Sequence, residues 1–189
     1  MVTIRQERKA DVGPREALLD VSYGPVRFSK TSERLREGRV PGLSFVAASG
    51  RRLVGTVRLW DVSAGPGRPA LLLGPLAVAP DSRKRGIGST LVQGALREAT
   101  RLGHGAVLLV GDAPYYGRFG FSNEKTGALW LPGPYEPHRL LACELKPGAL
   151  DGARGLISAS GRREQQPGLA ALVAGLAGSS EPTLAPRAA

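Results

Sequence analysis

Residues Leu71 to Leu102 have the sequence LLLGPLAVAPDSRKRGIGSTLVQGALREATRL, and this stretch decides the fold. The run from Leu71 to Val78 is almost entirely apolar, which predicts a strand buried on both faces. Proline cannot donate to a β-ladder, so Gly74-Pro75 predicts a bulge or a splay within that strand.

A glycine turn and an amphipathic helix follow this strand. Apolar residues recur at helical spacing from about Gly88 to Leu102, and Gly103 ends the helix. The short apolar run from Ala106 to Val110 predicts the next strand, so the segment forms a βαβ unit.

The turn from Arg83 to Ser89 has the chemistry of an anion site. It contains the basic trio Arg83, Lys84 and Arg85, and two glycines that let the backbone approach a ligand. The first N–H groups of the helix lack intrahelical partners and lie at the positive end of its dipole. A plain glycine turn that caps a helix remains an alternative. No GxxxxGK[ST] occurs, and Gly65 to Ala70, which formally matches GxGxxA, contains two prolines and precedes a strand.

The rest of the chain predicts a mixed α/β architecture. Asp11 is expected to cap a first helix through Leu18 and Leu19, and Ser29 or Thr31 a second. The other predicted elements are a strand Val2 to Gln6, a helix Ser32 to Glu37, a hairpin of Ser44 to Ala48 with Leu53 to Val62, a short helix Tyr115 to Phe119, and a closing pair of strands, Ala128 to Leu131 and Arg139 to Lys146.

We expect one domain over residues 1–150 and a Gly/Ala/Pro-rich tail over residues 151–189. In the tail, Gly168 to Leu176 has the pattern of a short helix, and the last ten residues predict disorder.

Composition narrows the class of protein. With 42% hydrophobic residues and no long apolar run, we expect a cytoplasmic protein without a membrane partner. One cysteine and two histidines predict no metal site. The net charge of +10 would favour polyanions, but aromatic residues are only 5% and the basic residues are scattered, so we expect no nucleic-acid partner.

Two motifs together resemble the GNAT superfamily of N-acetyltransferases. Leu76-Ala77-Val78-Ala79-Pro80 followed by Arg83-x-x-Gly86-x-Gly88 is similar to its acetyl-CoA motif, and Tyr115 to Phe121 is similar to its Tyr-x-x-x-Gly-Phe segment. Leu73 to Leu76, Val110 to Asp112 and Leu131 to Pro134 further resemble its YhbS-like branch.

The resemblance implies a mostly antiparallel mixed sheet, flanked by helices and splayed between strands 4 and 5. Acetyl-CoA would be the co-substrate. Its pantetheine would pair with the main chain of three residues in strand 4 and its pyrophosphate would lie on the turn, so the implied cofactor-binding residues are Leu76, Ala77, Val78, Arg83, Lys84, Arg85, Gly86, Ile87, Gly88 and Ser89.

The resemblance also implies a reaction, in which a substrate amine attacks the acetyl thioester directly. Tyr116 matches the family tyrosine that donates a proton to the departing sulfur, and Tyr115 is the neighbouring alternative. The general base is unassigned, because Leu71 to Val78 contains no carboxylate. Glu33, Glu37, Asp61 or a water chain remain open, whereas His104, His138 and Cys143 have the placement of structural residues.

No motif specifies the acceptor, which is expected to be a small-molecule or protein amine. Its contacts would come from Val26 to Pro41 and the loops after Val62 and Phe121. A homodimer is possible. The main alternative function is a regulatory module that binds acyl-CoA without turnover.

Overall fold

The computed structural model describes residues 1–165 of the chain, and its centre is an eight-stranded mixed sheet. Six strands form a continuous path in the order β1-β2-β3-β4-β5-β7, while β8 pairs with both β3 and β6. The strands are β1 Val2–Gln6, β2 Leu43–Ser49, β3 Arg52–Ala64, β4 Pro69–Val78, β5 Ala106–Val110, β6 Leu129–Trp130, β7 Leu140–Glu144 and β8 Gly155–Ala159.

Helices flank this sheet. The α-helices are α1 Val12–Tyr23, α2 Ile87–Arg101 and α3 Ala113–Tyr116. Short 3₁₀ turns occupy Lys9–Asp11, Pro25–Ser29, Thr31–Leu35, Pro80–Ser82, Gly117–Phe119 and Pro137–Arg139. Within residues 1–165, no helix has the length and apolar character needed to cross a membrane.

The predicted splay lies between β4 and β5. These strands run parallel and pair only at Leu71 with Val107 and at Leu72 with Leu108, so the rest of β4 is not paired on that side. Residues of β1 to β4 pair antiparallel with their neighbours. The prediction of a mixed, mostly antiparallel sheet that opens between its fourth and fifth strands is confirmed.

The bulge predicted at Gly74-Pro75 is also present. Leu73 pairs with Leu59 and Leu76 pairs with Val57, so two residues of β4 lie opposite the single residue Arg58 of β3. An extra residue of this kind bends a strand and increases its twist. The bulge therefore lies where β4 leaves β5.

Helix α2 packs on the sheet through one apolar stripe, as its sequence period predicts. Ile87, Leu91, Ala95 and Ala99 are buried. Ile87 and Leu91 lie over Gly55 of β3, where a Cβ atom would come within 2.9 Å of Leu91 Cδ1. The missing side chain lets the helix lie close to the sheet, which fixes the position of the turn that precedes α2.

Three details of the predicted elements are wrong. Asp11 does not cap α1 with its side chain, because its carboxylate accepts the Arg8 N–H and both Arg5 Nη groups instead. The second helix is a 3₁₀ turn without a side-chain cap. The two closing strands do not pair with each other, since β7 joins β5 and β6 joins β8.

The folded region continues beyond residue 150, the predicted end of the domain. Strand β8 pairs with Val62, Ser63 and Ala64 of β3 and buries Ile157 completely. Because glycines and polar residues surround this strand, the sequence there does not show the alternation of apolar and polar residues that is typical of a strand. The helix predicted at Gly168 to Leu176 and the disorder predicted for the last ten residues lie outside the described residues.

A tight backbone contact at Gly65 joins β8 to the rest of the domain. A Cβ atom there would lie 2.0 Å from the Arg154 carbonyl oxygen, and Gly65 has a φ of 79°. We expect Gly65→Ala to lower the free energy of unfolding by about 2 kcal/mol or more, measured by chemical denaturation. Gly67→Ala is the matched control, because Gly67 also has positive φ but no atom near its Cβ position. Equal losses in both variants would show that the contact with Arg154 contributes nothing.

Candidate active site

The unpaired edge of β4 supplies backbone groups to the site. Ala79 N–H donates to the Val54 carbonyl across to β3, so alternation along the strand turns the backbone of Ala77 toward β3 as well. Leu76 and Val78 therefore present their N–H and C=O groups to the gap. Ala77 contributes a side chain that is buried in the core.

Two side chains hold the carbonyl groups on this edge. The Tyr23 hydroxyl at the end of α1 donates to the Leu76 carbonyl, and Arg83 Nε donates to the Val78 carbonyl over 3.2 Å. Burial raises the pKa of the Tyr23 phenol, so it stays a donor. With the two carbonyls satisfied, the N–H groups of Leu76 and Val78 are the donors left for a ligand.

The turn before α2 has the backbone shape of an anion site. Lys84 has a φ of 60° and Gly86, which caps the helix, has a φ of 77°. No side chain caps the first turn of α2. The N–H groups of Ile87, Gly88 and Ser89 have no acceptor within the helix, and they point out of its positive end.

These groups line a cleft of about 440 Å³ beside the gap. Tyr115 forms part of the opposite wall, where its hydroxyl would lie 3.0 Å from a Cβ atom on Gly88. The Arg118 guanidinium lies 4.1 Å from the centre of the Tyr115 ring and adds a further cation. The lining is Leu76, Val78, Ser82, Arg83, Lys84, Gly86, Ile87, Gly88, Ser89, Tyr115 and Arg118.

Most of the sequence-predicted cofactor residues lie in this cleft, with two exceptions. Ala77 points its backbone toward β3, and Arg85 is an exposed residue that does not line the cleft. Since Arg83 and Lys84 remain in the lining, the cleft still has two cations from the basic trio. The donors and charges suit a ligand that carries phosphate groups.

A second cavity of about 430 Å³ lies on the other side of Leu76. Its walls come from the end of α1, the two 3₁₀ turns between α1 and β2, the bulge in β4, and the loop between β6 and β7. Leu76 lines both cavities. The second cavity is lined by Tyr23, Val26, Arg27, Ser29, Lys30, Thr31, Ser32, Glu33, Arg36, Leu72, Leu73, Gly74, Pro75, Leu76, Val110, Tyr116, Leu131, Pro134, Tyr135, Glu136 and Arg139.

Tyr116 lines the second cavity, while Tyr115 lines the first. Their rings meet edge to face at 4.9 Å. Phe121 packs against Tyr116 at 5.9 Å, and Gly111 gives the ring room, since a Cβ there would lie 2.3 Å from Tyr116 Cε2. The Tyr116 ring is thus fixed on the wall of the second cavity, in contact with the Tyr115 ring on the wall of the first.

The electrostatics of Tyr116 favour the protonated phenol. Burial raises its pKa well above the ordinary value, and the neighbouring Tyr23, Tyr115 and Asp112 act in the same direction. No hydrogen bond to its hydroxyl is present among residues 1–165. The group can therefore offer a proton across the neutral pH range.

Of the carboxylates considered as the general base, Glu33 is the one that lines the second cavity. It lies 3.5 Å from Arg36 Nε. Asp61 lies instead beside Gly42 and Gly161, and Glu37, His104 and His138 are outside the cavity lining. Cys143 is half-buried, and burial raises the pKa of its thiol.

The splayed sheet, the glycine turn at a helix N-terminus and the tyrosine pair define an acyltransferase of the GNAT type. The model of the acetyltransferase (GNAT) family matches residues 15–121, which include β4, α2 and α3. The chain belongs to this family and is an N-acetyltransferase.

The chain is similar to solved structures and to sequences of bacterial acetyltransferases. The chain is 30% identical over 156 residues to the uncharacterized N-acetyltransferase YhbS of Escherichia coli strain K12. The matched region covers 82% of this chain and 93% of that protein. The crystal structure of E. coli YhbS in complex with CoA matches with a TM-score of 0.73 and 29% identity over 84% of this chain and 89% of YhbS. A GNAT acetyltransferase from Brucella melitensis in complex with acetyl-CoA matches with a TM-score of 0.56 and 27% identity over 80% of this chain and 99% of that one.

The sequence did not point to several residues of the two cavities. Tyr23 and Arg139 belong to no motif and reach the second cavity only through the fold. Lys30 lies in the segment expected to contact the acceptor and Arg118 in the Tyr115 to Phe121 motif, but neither side chain was singled out. Tyr23 is the last residue of α1, and nothing in its local sequence distinguishes it from other residues of that helix. Its spacing from Leu76, 53 residues along the chain, carries no local signal.

Proposed function

We propose that the protein transfers the acetyl group of acetyl-CoA to a primary amine by direct attack in a ternary complex. The observation that carries this proposal is the meeting of two cavities at Leu76, with Tyr116 at the junction. One cavity has the donors of an anion site, and the other has the volume of a small-molecule site. Two reactants can thus approach each other from opposite sides.

The first cavity would hold the cofactor. The N–H groups of Gly88 and Ser89, together with Arg83 and Lys84, would bind the pyrophosphate. The N–H groups of Leu76 and Val78 would pair with the pantetheine arm as an added strand does. The CoA complex of YhbS and the acetyl-CoA complex of the Brucella protein support the choice of acetyl-CoA as the ligand.

The second cavity would hold the amine. Its nitrogen forms a bond to the acetyl carbonyl carbon, the carbon–sulfur bond breaks, and CoA leaves as the thiol. Tyr116 donates the proton that the sulfur receives, and the second proton of the amine nitrogen, released as the amide forms, returns to the Tyr116 oxygen. Glu33 accepts the proton that the ammonium group loses, directly or through water, since it is the candidate carboxylate that lines this cavity.

The test is a titration of the purified protein with acetyl-CoA, followed by thermal stability and by release of CoA thiol with a panel of primary amines. A ligand at one hundred times its Kd stabilises the folded state by about 2.7 kcal/mol. Stabilisation together with thiol release supports an N-acetyltransferase. Stabilisation without release for any amine would favour a module that binds acyl-CoA without turnover, and no response at all would contradict the cofactor proposal.

The homodimer and the cytoplasmic location stay predictions. Neither follows from the geometry of the two cavities.

A further inference from the structure

The cavity that would hold the amine carries more positive than negative charge. Four cations line it, Arg27, Lys30, Arg36 and Arg139, against the two carboxylates of Glu33 and Glu136. An amine acceptor is itself cationic in water, so an excess of positive charge opposes the binding of an acceptor that has only amine groups.

The excess charge is located at Lys30. Arg27 pairs with Glu16 at 2.6 Å, and Arg36 lies 3.5 Å from Glu33. Arg139 is likewise paired, with Asp112 at 3.1 Å and Glu136 at 3.2 Å.

Lys30 differs from these arginines. Among residues 1–165 no carboxylate lies within 4.0 Å of its ammonium group, which instead lies 4.5 Å from the centre of the Tyr23 ring. Partial burial lowers the pKa of Lys30, and repulsion from Arg36 and Arg139 lowers it further. An anion placed beside Lys30 would meet a cation that, within residues 1–165, has no carboxylate closer than 4.0 Å.

The position of Lys30 relates this charge to the reaction. Its ammonium group lies on the ring of Tyr23, whose hydroxyl donates to the Leu76 carbonyl at the junction of the two cavities. The Tyr23 side chain thus lies between the Lys30 ammonium group and the edge of β4, and an anion beside Lys30 would be separated from that edge by about the length of this side chain. A small molecule that spans this distance can contact Lys30 at one end and the junction at the other.

We propose that the acceptor is a small primary amine that carries an anionic group, a carboxylate or a phosphate, and that Lys30 binds this anion. The proposal rests on the proposed function for the identity of the second cavity. Glu33 lines the same cavity and would accept the ammonium end of the molecule. Linear polyamines are disfavoured, because their second cation would meet Lys30.

The test measures binding to CoA-saturated protein by isothermal titration calorimetry, so it does not depend on turnover. The probes are two matched pairs: β-alanine with β-alaninamide, and phosphoethanolamine with ethanolamine. We expect at least one probe that carries the anion to bind about tenfold or more tightly than its partner that lacks the anion, which is the usual scale of one charge-assisted contact. The pair that shows the difference identifies the anion as a carboxylate or a phosphate.

Two lysine variants show whether Lys30 is responsible. Lys30→Gln is expected to bring the ratio of the two Kd values close to one. Lys9→Gln is the matched control, since Lys9 is exposed and lies outside both cavities, and it should keep the wild-type ratio. Lys30 is itself exposed at the mouth of the cavity, so its substitution should not impair folding.

The outcomes separate this inference from the proposed function. If CoA binds but neither anionic probe binds more tightly than its partner, or if Lys30→Gln keeps the preference, the inference is wrong and the N-acetyltransferase proposal stands. If CoA does not bind, the initial CoA titration contradicts the proposed function. The four probes are then titrated into the protein alone, where an anion preference that needs Lys30 supports an anion site and equal binding rejects one.

Discussion

Tyr116→Phe is expected to lower kcat for acetyl transfer about 100-fold, the lower end of the effect of removing a general acid, because a thiolate is already a good leaving group. Phenylalanine keeps the ring contacts with Phe121 and Gly111 and removes only the hydroxyl. The KM for acetyl-CoA should change little. Steady-state kinetics that follow thiol release, together with a thermal unfolding curve, measure both effects.

Tyr115→Phe provides the comparison at the adjacent position. Its hydroxyl lies next to Gly88 in the cleft proposed for the cofactor, so its loss should change the KM for acetyl-CoA more than kcat. If the two variants exchange these effects, the proton donor is Tyr115. If Tyr116→Phe keeps kcat within about twofold of the wild type, the tyrosine is a packing residue only.

The pH profile gives an independent check on Tyr116. Because burial raises the pKa of its phenol above the ordinary value, the proton-donating form persists as the pH rises through the range in which an exposed tyrosine ionises. Wild-type kcat should therefore show no alkaline loss in that range.

Glu33→Gln is expected to reduce kcat/KM most at neutral pH and least at alkaline pH, where more of the amine is already unprotonated.

The second large effect is expected from Gly88→Glu, which should weaken the affinity for acetyl-CoA by roughly 100-fold or more, the equivalent of losing two charge-assisted hydrogen bonds. The new Cβ would lie 3.0 Å from the Tyr115 hydroxyl, and the carboxylate would occupy the space of the pyrophosphate. A negative charge in the first turn of α2 also interacts favourably with the helix dipole, so the fold should remain.

Gly94→Glu is the matched control for this variant. Gly94 lies on the same helix, and the atom nearest to its Cβ position is Arg97 Nη2 at 3.9 Å. The variant adds the same charge without entering the cleft, so acetyl-CoA should stabilise it as it stabilises the wild type. Equal acetyl-CoA affinity in both glutamate variants would show that the N-terminus of α2 does not bind the cofactor.

The segment from β4 to β5 could be predicted from the sequence because its signals are local. An apolar run, a glycine turn and a helical period each lie within about 20 residues. Strand β5 was predicted with its observed bounds, Ala106–Val110, since it is a continuous run of apolar residues. The bulge followed from Gly74-Pro75, because proline lacks the N–H group that a ladder requires.

Features that depend on distant contacts could not be predicted in this way. Strand β8 lacks a clear alternating pattern, and it forms because β3 extends far enough to pair with it at Val62–Ala64. Asp11 was misjudged because the Arg5 guanidinium, six residues earlier, competes for its carboxylate. The cavity proposed for the acceptor combines α1, two 3₁₀ turns and the β6–β7 loop, so no single stretch of sequence contains all of its charged residues.

Within residues 1–165, Leu76 is the one residue that lines both cavities, so substitutions in one cavity leave most of the other unchanged. The cleft proposed for the cofactor depends on β4 and α2, whose residues also form the core of the sheet, so substitutions there are expected to lower stability. The cavity proposed for the acceptor includes exposed turns and a loop, where substitutions such as those at position 30 are expected to leave the core intact. Substitutions in the second cavity are therefore expected to alter which acceptor binds while the cleft proposed for the cofactor stays unchanged.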